Sequence, residues 1–285
     1  MIEVTVLGLG EVGAVLAEDL AASVTAWDIA FADHESAAAV NARRLGVAVA
    51  GNALDAVRAA EVVISAVTAA NTVLAARSVA EGIRPGCWFL DLNSAAPERK
   101  QAAAAVIEGV SGRYVEAAVM SPIMPDRLAA PILLGGPHAR EFPARSLGFT
   151  GTEVYADMIG PASATKLCRS VVIKGVEALL TEALLAAREW RVEGRVLASL
   201  SNLLPAADWE KLAAYMISRS LEHGVRRAEE MREAAATVAG TGIEPVLSEA
   251  IARRQDWAAV HRPGVLTDEL VPLLDAIRDR RGETE

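Results

Sequence analysis

Long apolar runs are missing from this chain of 285 residues, although 52% of them are hydrophobic and the mean hydropathy is +0.27. Much of the apolar content is alanine, spread through stretches of helical pattern. No uninterrupted run approaches the ~20 residues that a membrane-spanning helix needs. The first residues carry no basic segment ahead of an apolar core; residues 2–7 make a strand-length run followed at once by a glycine loop, which is not the pattern of a secretion signal. A soluble, cytoplasmic protein without a membrane partner is expected. Cysteine is scarce, with only Cys87 and Cys168, so there is no disulfide framework. The four histidines, His34, His138, His223 and His261, are scattered without metal-ligand spacing, and no structural or catalytic metal is expected. The net charge is −9 and no stripe of Lys and Arg interleaves with aromatics, which sets nucleic acid aside as a partner. Neither an internal repeat nor a low-complexity tract occurs.

What is present is an alternation of short β-rich runs and helical stretches through the first half. Strands are expected at 2–7, 24–28, 62–66, 87–90, 114–119 and 132–134, and helices at 11–22, 71–81 and 97–108, with Pro97 suited to a helix's first turn. Such alternation predicts an α/β unit with a mainly parallel sheet covered on both faces. Strand signals are absent from the second half. One long helix is expected over 163–190, interrupted only by Gly175, followed by helices at 208–221, 225–239 and 245–260. The change falls near Gly160-Pro161, so the expected division is an N-terminal Rossmann domain, 1–160, and an all-α domain, 161–285. The charged residues from 278 onward predict a frayed end.

Gly8-Leu9-Gly10-Glu11-Val12-Gly13 is a GxGxxG segment that directly follows a buried strand and opens a helix, within a strand-helix-strand unit. That context, more than the three glycines, points to a dinucleotide loop. The first glycine permits the tight turn, the second lets backbone approach a pyrophosphate, and the third lets the helix pack on the strand. Free amides at the helix N-terminus then face the phosphates. Asp28 ends the second strand, where an acid accepts hydrogen bonds from the adenosine ribose hydroxyls and repels a 2′-phosphate. No arginine follows it closely, so NAD is favoured and NADP is left open; an ordinary strand-end Asp is the plainer alternative. The loop Ala66-Val67-Thr68 after the fourth strand is expected to lie along the cofactor.

Three further segments accompany this loop, in order along the chain. Asp91-Leu92-Asn93-Ser94-Ala95-Ala96-Pro97 looks like a D-x-S-T-x-x-P segment. Glu116-Ala117-Ala118-Val119-Met120-Ser121-Pro122 stands where D-A-P-V-S-G-G is found, and Gly160-Pro161-Ala162-Ser163-Ala164-Thr165-Lys166 where a glycine turn leads to a catalytic lysine. With these the chain resembles the β-hydroxyacid dehydrogenases, the group that includes 3-hydroxyisobutyrate and 6-phosphogluconate dehydrogenases. More narrowly it looks like a branch with a distinctive C-terminal domain, in which Lys174-Gly175-Val176-Glu177-Ala178-Leu179 follows the lysine. The departures bear on substrate. Met120-Ser121-Pro122 replaces Ser-Gly-Gly, whose amides help hold a substrate carboxylate in the family, and Pro122 has no amide to offer. Arg169-Ser170 replaces a pair of Asn. The resemblance therefore implies the reaction type without implying 3-hydroxyisobutyrate itself.

The resemblance implies hydride transfer between a nicotinamide cofactor and a 3-hydroxy acid or related alcohol, with Lys166 as general acid/base; without that register it would read as a solvated helix lysine. Arg169 and Ser170 lie three and four residues later on the same helical face. They are candidates for gripping a substrate acid group and for bonding the reacting oxygen. Ser94 and Ser121 fall on strand-end loops, where they can bond substrate or, for Ser94, the cofactor. His223, Arg226, Arg227 and Glu230 make one polar helix face, expected to be solvated, with Arg227 the nearest match to a basic residue that reaches the family's site. Cys168 is expected as a small buried thiol, and Trp190, Trp209 and Trp257 as core or interface anchors. Imine reduction on a similar architecture, and a non-catalytic NAD-binding protein, are the other readings. A homodimer or larger assembly is expected, because a helical domain of this size with an alanine-rich first helix is short of core.

Overall fold

The computed structural model describes residues 2–200, 208–264 and 266–284. The chain divides into two compact units, Met1–Lys166 and Leu167–Glu285. The first is built on eight strands: β1 Glu3–Leu7, β2 Ser23–Trp27, β3 Ala48–Val49, β4 Val62–Ser65, β5 Trp88–Asp91, β6 Arg113–Val119, β7 Ile132–Gly135 and β8 Thr152–Ala156. They form one sheet in the order β3-β2-β1-β4-β5-β6-β7-β8. Neighbours pair in parallel throughout except at β6–β7, which is antiparallel. This is the doubly wound Rossmann order extended by two strands that run the other way.

The central strands are covered on both faces, which is why they read as nearly continuous apolar runs. Period-two alternation still sorts their side chains: Val62, Ile64, Leu90, Val115 and Ala117 join one core, while Val63, Phe89 and Tyr114 join the other. Helices α1 Glu11–Asp19, α2 Ala37–Leu45, α3 Ala53–Val57, α4 Thr72–Val79 and α5 Pro97–Glu108 connect the parallel strands. The elements that the sequence pattern did not disclose, α2, α3, β3 and β8, are short or partly exposed at the sheet's flanks. Their residues carry little periodic apolar signal of their own.

The second unit is helical. It takes up α6 Pro161–Glu189 after its opening turns, then α7 Glu193–Leu200, α8 Trp209–Ala239, α9 Val246–Val260 and α10 Leu270–Thr284. Leu180, Leu184, Leu197, Ile217, Leu221, Leu273 and Ile277 are among its core. The expected helices at 208–221 and 225–239 are one helix with a break at His223 (φ −121°, ψ 16°). At Gly224, next to the break, a Cβ would lie 2.4 Å from the Gln255 carbonyl oxygen, so glycine permits the close approach of α8 and α9. Helix α10 continues to Thr284 through the stretch expected to fray, with Leu270, Leu273, Leu274 and Ile277 burying one face of its first half; Glu285 lies outside the described residues. Trp209 and Trp257 pack against the core, whereas Trp190 is 81% exposed and is no core residue.

One buried ion pair ties the first unit together. Lys100 on α5 and Asp91 at the end of β5 are both fully buried, and the ammonium donates to the Asp91 carboxylate at 2.9 Å and to its carbonyl oxygen at 2.8 Å. Tyr114 Oη donates to the other carboxylate oxygen at 2.6 Å, and burial beside this carboxylate pushes the phenol well above its ordinary range. Removing one partner strands a charge in a dry interior. Lys100→Met is therefore expected to lower the unfolding free energy by about 3–5 kcal/mol in urea titration; a loss under about 1 kcal/mol would mean that Asp91 is accommodated neutral.

Candidate dinucleotide and catalytic site

Site loops follow the carboxyl ends of the parallel strands. The register places Trp27, Leu7, Ser65, Asp91 and Glu116 in one row across the sheet, with Gly135 of the antiparallel β7 opposite Glu116. After Leu7 comes the glycine loop, and its three glycines differ in their surroundings. Gly8 has φ +88°, and a Cβ there would sit 2.6 Å from the Ala66 carbonyl oxygen. At Gly13 a Cβ would meet the Gly8 carbonyl oxygen at 1.9 Å, so this glycine sets how closely α1 packs on β1. Around Gly10 nothing lies within 4 Å of a Cβ. Space is thus kept open where a pyrophosphate would approach, beside the first turn of α1, whose Gly10 cap supplies no capping side chain and leaves its amides to a ligand. These residues fit a dinucleotide.

Asp28 follows β2 and faces the same loop. One carboxylate oxygen accepts from the Leu9 amide at 2.8 Å and the other from the Ala30 amide at 2.8 Å. Each oxygen keeps a further acceptor site for a ribose hydroxyl. The arginines of α2 are engaged elsewhere, Arg43 with the His34 carbonyl and Arg44 with Glu18. The Asn41 side-chain amide donates to the Leu9 carbonyl at 2.9 Å and braces the loop from the other side.

A continuous set of contacts runs from this loop to Lys166. Gly8 lies against Ala66 and Val67. The Val67 amide donates to Asn93 Oδ1 at 2.7 Å, and Asn93 Nδ2 donates to Ser65 Oγ at 3.0 Å. Ser94 is the next residue, and Lys166 Nζ donates to its Oγ at 2.7 Å. Thr68 is exposed and accepts from the Asn71 side chain at 3.0 Å. Glu11 is exposed on α1, and Val12 packs inward against the core. Ser121 is turned onto its own chain, donating to the Pro122 carbonyl at 3.0 Å.

Beyond Lys166 on α6, Arg169 is exposed, and so is Cys168, which corrects the expected buried thiol: that position faces outward while Leu167 takes the core. Ser170 is buried and its hydroxyl accepts from Lys174 Nζ at 3.1 Å, one turn along. The polar face of α8 is corrected as well. Arg226 is exposed, but Arg227 and Glu230 are buried: Arg227 pairs with Glu177 of α6, and Lys174 pairs with Glu230 at 2.9 Å. Burial pushes the Glu177 carboxyl above its usual range, against the opposing pull of Arg227 and Lys174. Burial and the Arg219 charge push the half-buried His223 down. Charged residues at helical spacing carry no local sign of whether another helix covers them, which is why the sequence read this face as solvated. The roles of Asn93, Glu116, Asp91 and Lys100 were equally hidden. Only apolar residues surrounding an isolated acid or lysine in a strand or helix pattern signal such burial.

The fold and these loops define a doubly wound nucleotide-binding protein with a helical second domain. The chain belongs to the same family as the conserved protein MTH1747, a 3-hydroxyacid dehydrogenase-like protein of unknown function, and its first domain is of the NAD-binding kind. Residues 3–140 match the NAD binding domain of 6-phosphogluconate dehydrogenase, and residues 187–258 match a domain of unknown function, DUF1932. A conserved hypothetical protein from Sinorhizobium meliloti 1021 is 34% identical over 98% of this chain and 97% of its own, with a TM-score of 0.77. The conserved protein MTH1747, described as structurally similar to 3-hydroxyacid dehydrogenases, is 31% identical over 90% of this chain and 96% of its own, with a TM-score of 0.70. The fold is shared with a Mycobacterium tuberculosis 3-hydroxyisobutyrate dehydrogenase, solved with L-serine, at 20% identity, 99% coverage of both chains and a TM-score of 0.72. No curated protein sequence matches this chain. Among the described residues no helix is long and apolar enough to cross a membrane.

The different surroundings of Gly10 and Gly13 give opposite expectations. Gly10→Val is expected to leave the melting temperature near wild type while abolishing NAD binding, read by calorimetric titration. Gly13→Ala is expected to lower the melting temperature, because its Cβ would overlap backbone. Equal NAD affinity of Gly10→Val and wild type would show that the loop does not hold the pyrophosphate.

Proposed function

We propose that the protein is an NAD-dependent dehydrogenase of a 3-hydroxy acid or a related alcohol, with Lys166 as the general acid/base. The observation that carries this reading is the 2.7 Å contact between Lys166 Nζ and Ser94 Oγ, joined through Asn93 and Val67 to the glycine loop. It puts an amine at the strand-end loops where doubly wound folds hold ligands. The nicotinamide, when bound, takes up or returns the hydride. The chain must hold the substrate hydroxyl and move its proton. In oxidation, neutral Lys166 accepts that proton as the carbonyl forms; in reduction, the ammonium returns it. Ser94 Oγ, held by the same amine, orients the reacting oxygen.

Acid-group recognition departs from the family pattern. The Met120-Ser121-Pro122 loop offers no Pro amide, and the Ser121 hydroxyl is turned to Pro122, so that loop is a poor carboxylate cradle. We assign the substrate's acidic group to the exposed guanidinium of Arg169, which can hold it bidentately. Ser170, engaged by Lys174, keeps its own proton to donate. NAD is preferred over NADP because Asp28 repels a 2′-phosphate and has no arginine beside it in sequence.

Two measurements test this. Across a panel of 3-hydroxy acids with NAD, and cyclic imines with NADH, turnover is expected on a hydroxy acid. Lys166→Ala is expected to lower it by roughly 10²–10⁴-fold and to remove one ionisation from the pH profile. Near-normal turnover in Lys166→Ala would overturn the mechanism, and turnover confined to imines would move the protein to imine reduction. Asp28→Ser is expected to narrow the NAD over NADPH preference in fluorescence titration; tighter NADPH binding by the wild type would refute it.

A further inference from the structure

Helix α6 begins in an unusual way. Its first residue is Pro161, which has no amide, and the residue before it is Gly160, at φ +126°, which has no side chain to cap the helix. The missing cap comes from the sheet. Glu116 of β6 is fully buried; one of its carboxylate oxygens accepts from the Gly160 amide at 2.7 Å and the other from the Ser163 amide at 2.8 Å. Ser163 Oγ closes the turn by donating to the Gly160 carbonyl at 3.0 Å. Room for the carboxylate is made by Gly135, the register partner of Glu116, where a Cβ would lie 2.6 Å from Glu116 Oε2. A negative group at a helix N-terminus is favoured by the helix dipole as well as by its hydrogen bonds. Two bonds to amides three residues apart fix the axial position of the first turn and its rotation about the helix axis.

We infer that Glu116 is a positioning residue for Lys166: by capping α6 it sets where the lysine amine meets Ser94. Lys166 lies three residues after Ser163, on the same helical face one turn on, so a rotation of the first turn carries the amine away from Ser94 Oγ. The inference rests on the reading of Lys166 as the proton carrier. Glu116→Gln keeps the size of the side chain but turns an NH2 group toward one of the two amides, so one of the two bonds is lost. Gly135→Ala keeps Glu116 and displaces its carboxylate; this second route serves if Glu116→Gln does not fold.

The chain has only four lysines, Lys100, Lys166, Lys174 and Lys211, which allows a direct readout. The full-length protein is treated with trace acetic anhydride and each lysine's acetylation rate is read by peptide mass spectrometry, with exposed Lys211 as the internal reference. Ser94→Ala defines the rate of a Lys166 that has lost its bond to Ser94. Glu116→Gln and Gly135→Ala are expected to raise the Lys166 rate several-fold, toward that of Ser94→Ala, with Lys211 unchanged. On the hydroxy acid found active in the panel, kcat is expected to fall about 10- to 100-fold, the usual cost of small misplacement, with KM little changed. In the Lys166→Ala background Glu116→Gln is expected to cost nothing further. An unchanged Lys166 rate in both variants, or an equal loss of turnover with and without Lys166, would overturn the inference while leaving the function reading intact. Full turnover in Lys166→Ala would overturn both, whatever the labelling shows.

Discussion

Three polar side chains sit buried in a single register row across the central strands, Ser65 and Asp91 at the ends of β4 and β5 and Glu116 midway along β6, and the need to satisfy them organises the first unit. A polar group removed from water costs several kcal/mol unless it is bonded inside the protein. Each of the three meets this cost by reaching a residue outside its own strand. Ser65 accepts from Asn93, Asp91 holds Lys100 and Tyr114, and Glu116 takes the amides that open α6. The same bonds that satisfy the row fix the loops that follow it. The candidate site is in this sense a by-product of burying polar groups in one row of the sheet.

Stability and function are separated residue by residue along the glycine loop. Gly8 and Gly13 are constrained by the protein's own backbone, since a side chain at either would collide with a carbonyl. At Gly10 a Cβ would meet nothing within 4 Å among the described residues, so the space beside it stays open to a ligand. Asp28 combines the two demands: it holds the loop through the Leu9 amide and retains acceptor capacity for a ribose.

The helical unit shows a different economy. It is rich in alanine, and among its buried groups are Glu177, Arg227, Glu230 and Gln255. Pairing of Glu177 with Arg227 and of Lys174 with Glu230 links α6 to α8 through charge where small side chains supply little apolar area. Such pairs contribute less to net stability than well-packed apolar residues would, and they penalise any alternative packing that leaves one charge alone.

How much of this was legible in the sequence depends on whether the signal was local. The strand-helix alternation, the glycine loop opening α1, Asp28 at the end of β2 and the helical second half are local patterns, and they determined the α/β class and the reading of a dinucleotide loop; the family came by resemblance, from the segments at 91–97, 116–122 and 160–166 taken with that loop. Lys166 was legible only by resemblance, because nothing in its own neighbourhood distinguishes it from a surface lysine. The contact with Ser94, 72 residues away, is a tertiary fact. So are the burial of Glu116 against Gly160 and Ser163, the outward turn of Cys168, and the buried charges of α8. A one-dimensional pattern records the period of an element and the residues that break it. Which face a second element covers, and which distant amide a carboxylate must find there, is settled by packing, and packing alone decided how this site is held.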